Sequence, residues 1–233
     1  GRLLDHLQDR GLAENTIVIY TSDHGDYACE HDVMEKAPGI CSDAITRVPM
    51  IWWGGEAVAQ GHISDELVEL IDVTTTVCDL AGLDPMETSD GKCISHLVSG
   101  ESGAVREMAV TEFAWSKSVR KGDWRYVYYT PEMFPEEYPD GFGELYNLTA
   151  DPWELNNLYF DADQQVRVGE MKSALLDWLI TTTRPGTVLQ ANCGRKSFDN
   201  ASDQVEERFK AYVNRDGKIH PDMLKKIAGG NYL

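Results

Sequence analysis

The stretch TIVIYTSDHGD, Thr16 to Asp26, constrains this chain more than any other: five uncharged, mostly β-branched or aromatic residues lead into serine, aspartate, histidine and glycine. A short apolar run of that kind reads as a strand covered on both faces, as in sheets with helices packed against them. Leu3, Leu4, Leu7 and Leu12 lie at helical spacing just before it, weakened by Gly11 and ended by Glu14, Asn15 and Thr16. Helix followed by buried strand is an α/β beginning.

Further along, VPMIWWGG (Val48 to Gly55) predicts a second strand, and Asp65 to Leu80 a helix closed by Gly82. After a loop and a short helix in ISHLVSG, the texture changes. The segments EMAVTEFA, KSVRKGDWRYVYYT and GELYNLTAD are rich in aromatic and β-branched residues between turn signals, which predicts a small antiparallel sheet. A helix from Asp163 to Thr181 follows, with Val166, Met171, Leu175, Leu176 and Leu179 as its inner stripe. Residues 184–233 read as a loop and then one or two short amphipathic helices. The expected division is 1–104 for the layered α/β part, 105–183 for the small sheet with its helix, and 184–233 for the tail.

Ligands of open α/β sheets sit at the carboxyl ends of the strands. Asp23 and His24 fall just there, and Gly25 gives the backbone freedom to turn one side chain toward the other. A carboxylate oxygen with an imidazole nitrogen suits a divalent metal. Lys36 stands twelve residues beyond His24, a compact charge on a long stem able to hold an anionic oxygen. His31, between them, either faces the same pocket or is an exposed or capping histidine.

The string NTIVIYTSDHGD, then EHDVMEK, then RVPMIWWGG, resembles the metal-binding segment of the sulfatases, within the alkaline phosphatase superfamily. Downstream, DVTTTVCDLAGLDP, SVRKGDWRYVYY and ELYNLTADPWELNNL are similar to that family's helix, its two strands and its Asp-Pro-x-Glu-x-Asn-Leu turn. The resemblance covers about residues 1 to 180 in family order. It implies an alkaline phosphatase-like layered mixed sheet, with Asp23 and His24 on a calcium, magnesium or manganese ion and Lys36 on the sulfate. It also implies a sulfuric ester hydrolase acting on a small sulfate ester or sulfated sugar; a phosphonate or phosphodiester hydrolase and a non-catalytic binding module are the alternatives. The family's nucleophile is a formylglycine made from the first residue of Cys-or-Ser-x-Pro-x-Arg, a motif that no cysteine or serine of this chain heads. The chain therefore reads as the C-terminal half of a sulfatase, inactive alone, and its apolar strand is expected to expose edges or apolar surface.

A formal charge of −18 argues against nucleic acid or an anionic membrane as partner of the surface at large. No apolar run approaches the roughly 20 residues of a membrane-spanning helix. The five cysteines form no CxxC pair and are odd in number, which favours a cytoplasmic chain and leaves a periplasmic or secreted one open.

Overall fold

The computed structural model describes residues 1–36, 40–84, 89–113 and 116–182. They lie in one compact unit, Gly1–Trp178, apart from the last turn of the final helix. The tail expected over 184–233 is outside the described residues. Among those described, no helix is long and apolar enough to cross a membrane.

Helix α1 (Arg2–Asp9) leads through a 3-10 turn into strand β1 (Val18–Thr21), which pairs antiparallel with β2 (Met50–Trp53). Two strands cannot cover both of their own faces. Tyr20 and its cross-strand partner Ile51 are 63% and 55% exposed, so β1 is not the doubly covered strand its sequence suggests. The exposed apolar surface and strand edges expected of the chain are present.

Between the two strands comes the short helix α2 (Asp43–Thr46), and after β2 the helices α3 (Ile71–Leu80) and α4 (Ser95–Val98). Ile94, Leu97 and Val98 form a core against which Met50, Trp52, Val58, Val68, Leu80 and Val105 pack. The helix expected from Asp65 begins only at Ile71. The residues before it turn around the carboxylate of Asp72 instead: the Glu69 amide donates to Oδ2 at 2.7 Å and the Lys92 amide to Oδ1 at 2.8 Å. Arg106 completes the cluster with a two-pronged contact to Asp72, at 2.5 and 2.6 Å, and a contact to Glu69 at 3.2 Å. Asp72 is wholly buried.

The second sheet is a meander of β3 (Met108–Phe113), β4 (Ser116–Lys121), β5 (Trp124–Tyr129) and β6 (Gly143–Asn147), all antiparallel, as expected. Both faces of its middle are covered. Val127 and Tyr129 pack with Cys41 and with Phe113, Met133, Phe134 and Phe142 on one side. On the other, Tyr126 stacks on Tyr159, and Arg167 of α5 (Gln165–Thr182) lies 5.0 Å from the Trp124 ring. Helix α5 buries Val168, Met171 and Leu175. Val166 and Leu176, expected in that stripe, are 77% and 56% exposed. The true stripe follows the i, i+3, i+7 spacing that starts one turn into the helix.

In the segment DPWELNNL, Asp151 to Leu158, three polar side chains have structural jobs. Asp151 accepts the amides of Leu155 and Asn156, closing the turn. Asn157 accepts the amides of Leu145 and Tyr159 and donates to the Gly143 carbonyl, so it continues the edge of β6. Glu154 points inward and accepts the Asp43 amide at 2.9 Å.

Two outcomes are expected. Breaking one side of the Arg106 cluster by Asp72→Ala leaves a buried guanidinium without its main partner, a loss of about 3–5 kcal/mol read by urea unfolding. Glu144, on β6, is pushed up by burial and by the negative charge of Glu154, against the pull of the Tyr129 hydroxyl that donates to it at 2.9 Å. A carboxyl whose pKa is raised on folding favours the folded state below its unfolded pKa and loses that contribution as pH rises through its folded value. Glu144→Gln is therefore expected to raise the melting temperature at pH 7. The gain should shrink to nothing as pH falls to the ordinary glutamate range, in a pair of calorimetric series.

Candidate metal site

The Ser22–Gly25 turn leaves the carboxyl end of β1 and is knitted by its own polar atoms. The Ser22 hydroxyl donates to the His24 carbonyl at 2.8 Å and reaches Asp23 Oδ1 at 3.3 Å. The His24 amide donates to the same Oδ1 at 2.9 Å, while His24 Nδ1 lies 2.8 Å from the Gly25 carbonyl. That contact assigns the proton to Nδ1 and leaves the Nε2 lone pair free, the arrangement of a metal-ligating imidazole. His24 Nε2 stands 3.6 Å from Asp23 Oδ2, so the sequence-adjacent pair does converge.

Gly25 serves the turn differently from the sequence expectation. Its φ is not in the left-handed region; what matters is close approach, because a Cβ there would run into the carbonyl oxygen of Ala44 in α2. The Gly25 amide donates to the Ile45 carbonyl at 2.8 Å. The turn therefore lies directly against the backbone of α2.

The Asp23 side chain is 84% exposed. Its carboxyl is held below the usual aspartate range, first by the His24 backbone amide and then by the charge of the His24 ring. It is an ionised, accessible oxygen donor. Neighbouring Asp26 turns back on its own loop, accepting the Ala28 amide at 2.7 Å.

From Ala28 to Glu35 the backbone curls tightly, with Ala28, Cys29, His31, Asp32 and Glu35 all at positive φ. Buried Tyr27 anchors the loop by donating its amide to the Glu35 carbonyl at 3.0 Å. His31 meets the edge of the Tyr27 ring at 5.9 Å. Lys36 follows, exposed. Among the described residues, neither His31 nor Lys36 forms a hydrogen bond or ion pair with Asp23 or His24.

The chemistry of the Asp23–His24 pair fits a divalent cation, but two donors are fewer than the six to eight that calcium takes. Among the described residues no group of three or more His, Cys, Asp or Glu side chains gathers to hold an ion. The pair alone does not make up a complete cation site.

Sequence reasoning passed over Ser22, which closes the turn, and α2, which supports it. The serine could have been found from its place in Ser-Asp-His-Gly. The support from α2 has no local signal, since it depends on backbone atoms.

Comparison with known proteins bears on both the turn and the sheet. Residues 1–83 match the sequence profile of the family described as Sulfatase. The choline-sulfatase of Rhizobium meliloti (strain 1021) is 32% identical over 166 residues, 68% of this chain and 30% of that protein. The chain spans between 30% and 42% of the length of the first curated relatives it matches. Among solved structures, a protein in complex with its substrate D-glucosamine-2-N,6-O-disulfate superposes with a TM-score of 0.69 at 24% identity, over 78% of this chain and 37% of the other. The phosphonate monoester hydrolase of Agrobacterium radiobacter does so with a TM-score of 0.68 at 23% identity, over 78% and 38%. These two likenesses establish the fold, which is the alkaline phosphatase-like one expected. With the Sulfatase profile over residues 1–83 and a choline-sulfatase 32% identical over 68% of the sequence, the chain belongs to the sulfatase family and spans only part of the length of its relatives.

Proposed function

We propose that the chain forms part of a metal-assisted sulfuric ester hydrolase, with Asp23 and His24 as two ligands of its divalent cation and Lys36 as the ammonium that holds the sulfate. One observation carries the reading: an ionised, exposed carboxylate and an imidazole with its Nε2 lone pair free meet at the end of β1. Sulfatases generally use a metal ion; calcium is the first candidate here, and the imidazole makes magnesium or manganese acceptable too. When bound, the ion polarises the ester and stabilises the charge that develops on the departing group.

The residues of this chain have separate tasks. The His24 amide and the Ser22 hydroxyl hold Oδ1 of Asp23, so the carboxylate has a set orientation and stays ionised. The Gly25 carbonyl fixes the ring of His24. Lys36, at the far end of the Tyr27-anchored loop, brings a mobile positive charge to an anionic oxygen. The formylglycine nucleophile belongs to a Cys-or-Ser-x-Pro-x-Arg segment that the 233 residues do not contain. In this reading residues 1–104 belong to the catalytic layers and 105–183 to the sheet that supports them. A small sulfate ester or a sulfated sugar is the substrate class, in keeping with the choline-sulfatase relative and the glucosamine disulfate bound by a fold neighbour.

A second reading has one observation behind it. The phosphonate monoester hydrolase shares the fold almost equally well, and a metal with a lysine suits a tetrahedral phosphorus centre. The test links this chain to a sulfatase segment bearing Cys-or-Ser-x-Pro-x-Arg and follows hydrolysis of 4-nitrophenyl sulfate beside phenyl phosphonate and phosphodiester substrates. Asp23→Ala and Lys36→Ala are each expected to lower kcat/KM for the sulfate on the order of 100-fold. Full activity in both variants removes the site. A wide preference for the phosphorus esters transfers the protein to the second reading.

A further inference from the structure

The turn that carries Asp23 and His24 rests on α2, and α2 is gripped by one arginine. Arg125, the second residue of β5, is 4% exposed. Its Nη1 donates to the Cys41 carbonyl at 2.8 Å and to the Thr46 hydroxyl at 3.0 Å, the residues that flank and end α2. Its Nη2 donates to the Asp43 carboxylate in the first turn of the same helix. Its Nε lies 3.0 Å from Glu154 Oε1, a contact of charges outside hydrogen-bond angles, while Glu154 Oε2 holds the Asp43 amide. Within the same helix, the Ile45 carbonyl accepts the Gly25 amide, and the Ala44 carbonyl leaves no room for a Cβ at Gly25.

We propose that Arg125 is a positioning residue for the candidate metal turn: its three-way grip on α2 sets where the backbone of Ala44 and Ile45 meets Gly25, and so how Asp23 and His24 are presented. The proposal rests on reading those two residues as part of a metal site. The physical reason is the guanidinium's rigid fork. Two carbonyl or hydroxyl oxygens and a carboxylate are met at once by donors in fixed relation, which a single ammonium cannot reproduce. Helix α2 is one turn long and has little stability of its own. Its place is therefore dictated by what grips it. The small sheet, far from the turn in sequence, also meets this region where Cys41 packs on Val127 and Tyr129 and where Arg120 comes within 4.0 Å of Asp43, but only Arg125 holds both ends of α2 at once.

Amide hydrogen exchange, followed by NMR on the 233-residue chain, tests it. In Arg125→Lys the Gly25 amide is expected to exchange faster by on the order of tenfold, while the Val119 and Leu145 amides in the meander keep their rates. Imidazole nitrogen shifts are expected to move in step, as His24 drifts from the tautomer with the proton on Nδ1 toward a mixture. An unchanged Gly25 rate with an unchanged tautomer overturns the proposal. So does acceleration of Gly25 in the same proportion as the sheet amides, since that marks a merely structural arginine. Where Arg125→Lys does not fold, Asp43→Asn weakens the same grip from the helix side, and the same outcomes decide. Neither metal nor substrate is needed for the measurement, so a failed assay for sulfate hydrolysis leaves this result standing, and the reverse holds as well.

Discussion

A guanidinium buried between a sheet and a one-turn helix is the contact on which the arrangement of this molecule turns. Arg125 is separated by 84 residues from the Cys41 carbonyl it holds and by 82 from Asp43. Apolar packing alone would leave that junction poorly specified, because α2 offers only Ile45 as a buried apolar side chain. Directional donors supply what a small apolar contact cannot. Buried ion pairs are weak evidence for stability, but their geometric demands select one arrangement over its near neighbours, and here that arrangement includes the turn at the end of β1.

The Arg106 cluster repeats the solution at a second junction. Arg106 faces two carboxylates, Asp72 and Glu69; Arg125 faces Asp43 and Glu154, with Arg120 a further 4.0 Å from Asp43. At both junctions backbone amides hold the carboxylates as well. Asp43 donates to Glu154, Val110 to Glu69, and both Glu69 and Lys92 to Asp72. A carboxylate satisfied by amides from distant segments is satisfied only when those segments are correctly folded. These amide-held carboxylates thus report on conformation, in a chain whose overall charge is −18.

Much of this was legible in the sequence where the signal is local. Segments rich in aromatic and β-branched residues between turn signals foretold the meander, and Ser-Asp-His-Gly after an apolar run foretold a polar turn at a strand end. What escaped was set by partners far along the chain. The start of α3 is delayed because residues before Ile71 wrap the Asp72 carboxylate, whose other partner, Arg106, is 34 residues away. The stripe of α5 was drawn through Val166 and Leu176, which face away, because apolar residues also occur on exposed faces. Glu154 belongs to the DPWELNNL turn, yet its target, the Asp43 amide, is 111 residues distant. Gly25 was read for its flexibility, whereas its missing Cβ is what the carbonyl of Ala44 requires.

The contrast between Asp72 and Asp23 shows what separates a structural carboxylate from a candidate ligand. Asp72 is wholly buried and has all its acceptor capacity taken, by two amides and both arms of an arginine. A cation would have to displace those donors from a site that water does not reach. Asp23 accepts one amide and one weak hydroxyl contact at Oδ1, while Oδ2 faces only the His24 ring. One oxygen is used to fix direction and the other is left open. The same device, a backbone amide donating to a carboxylate, completes a core in the first case and aims a ligand in the second; the difference is how much of the acceptor the fold leaves unclaimed.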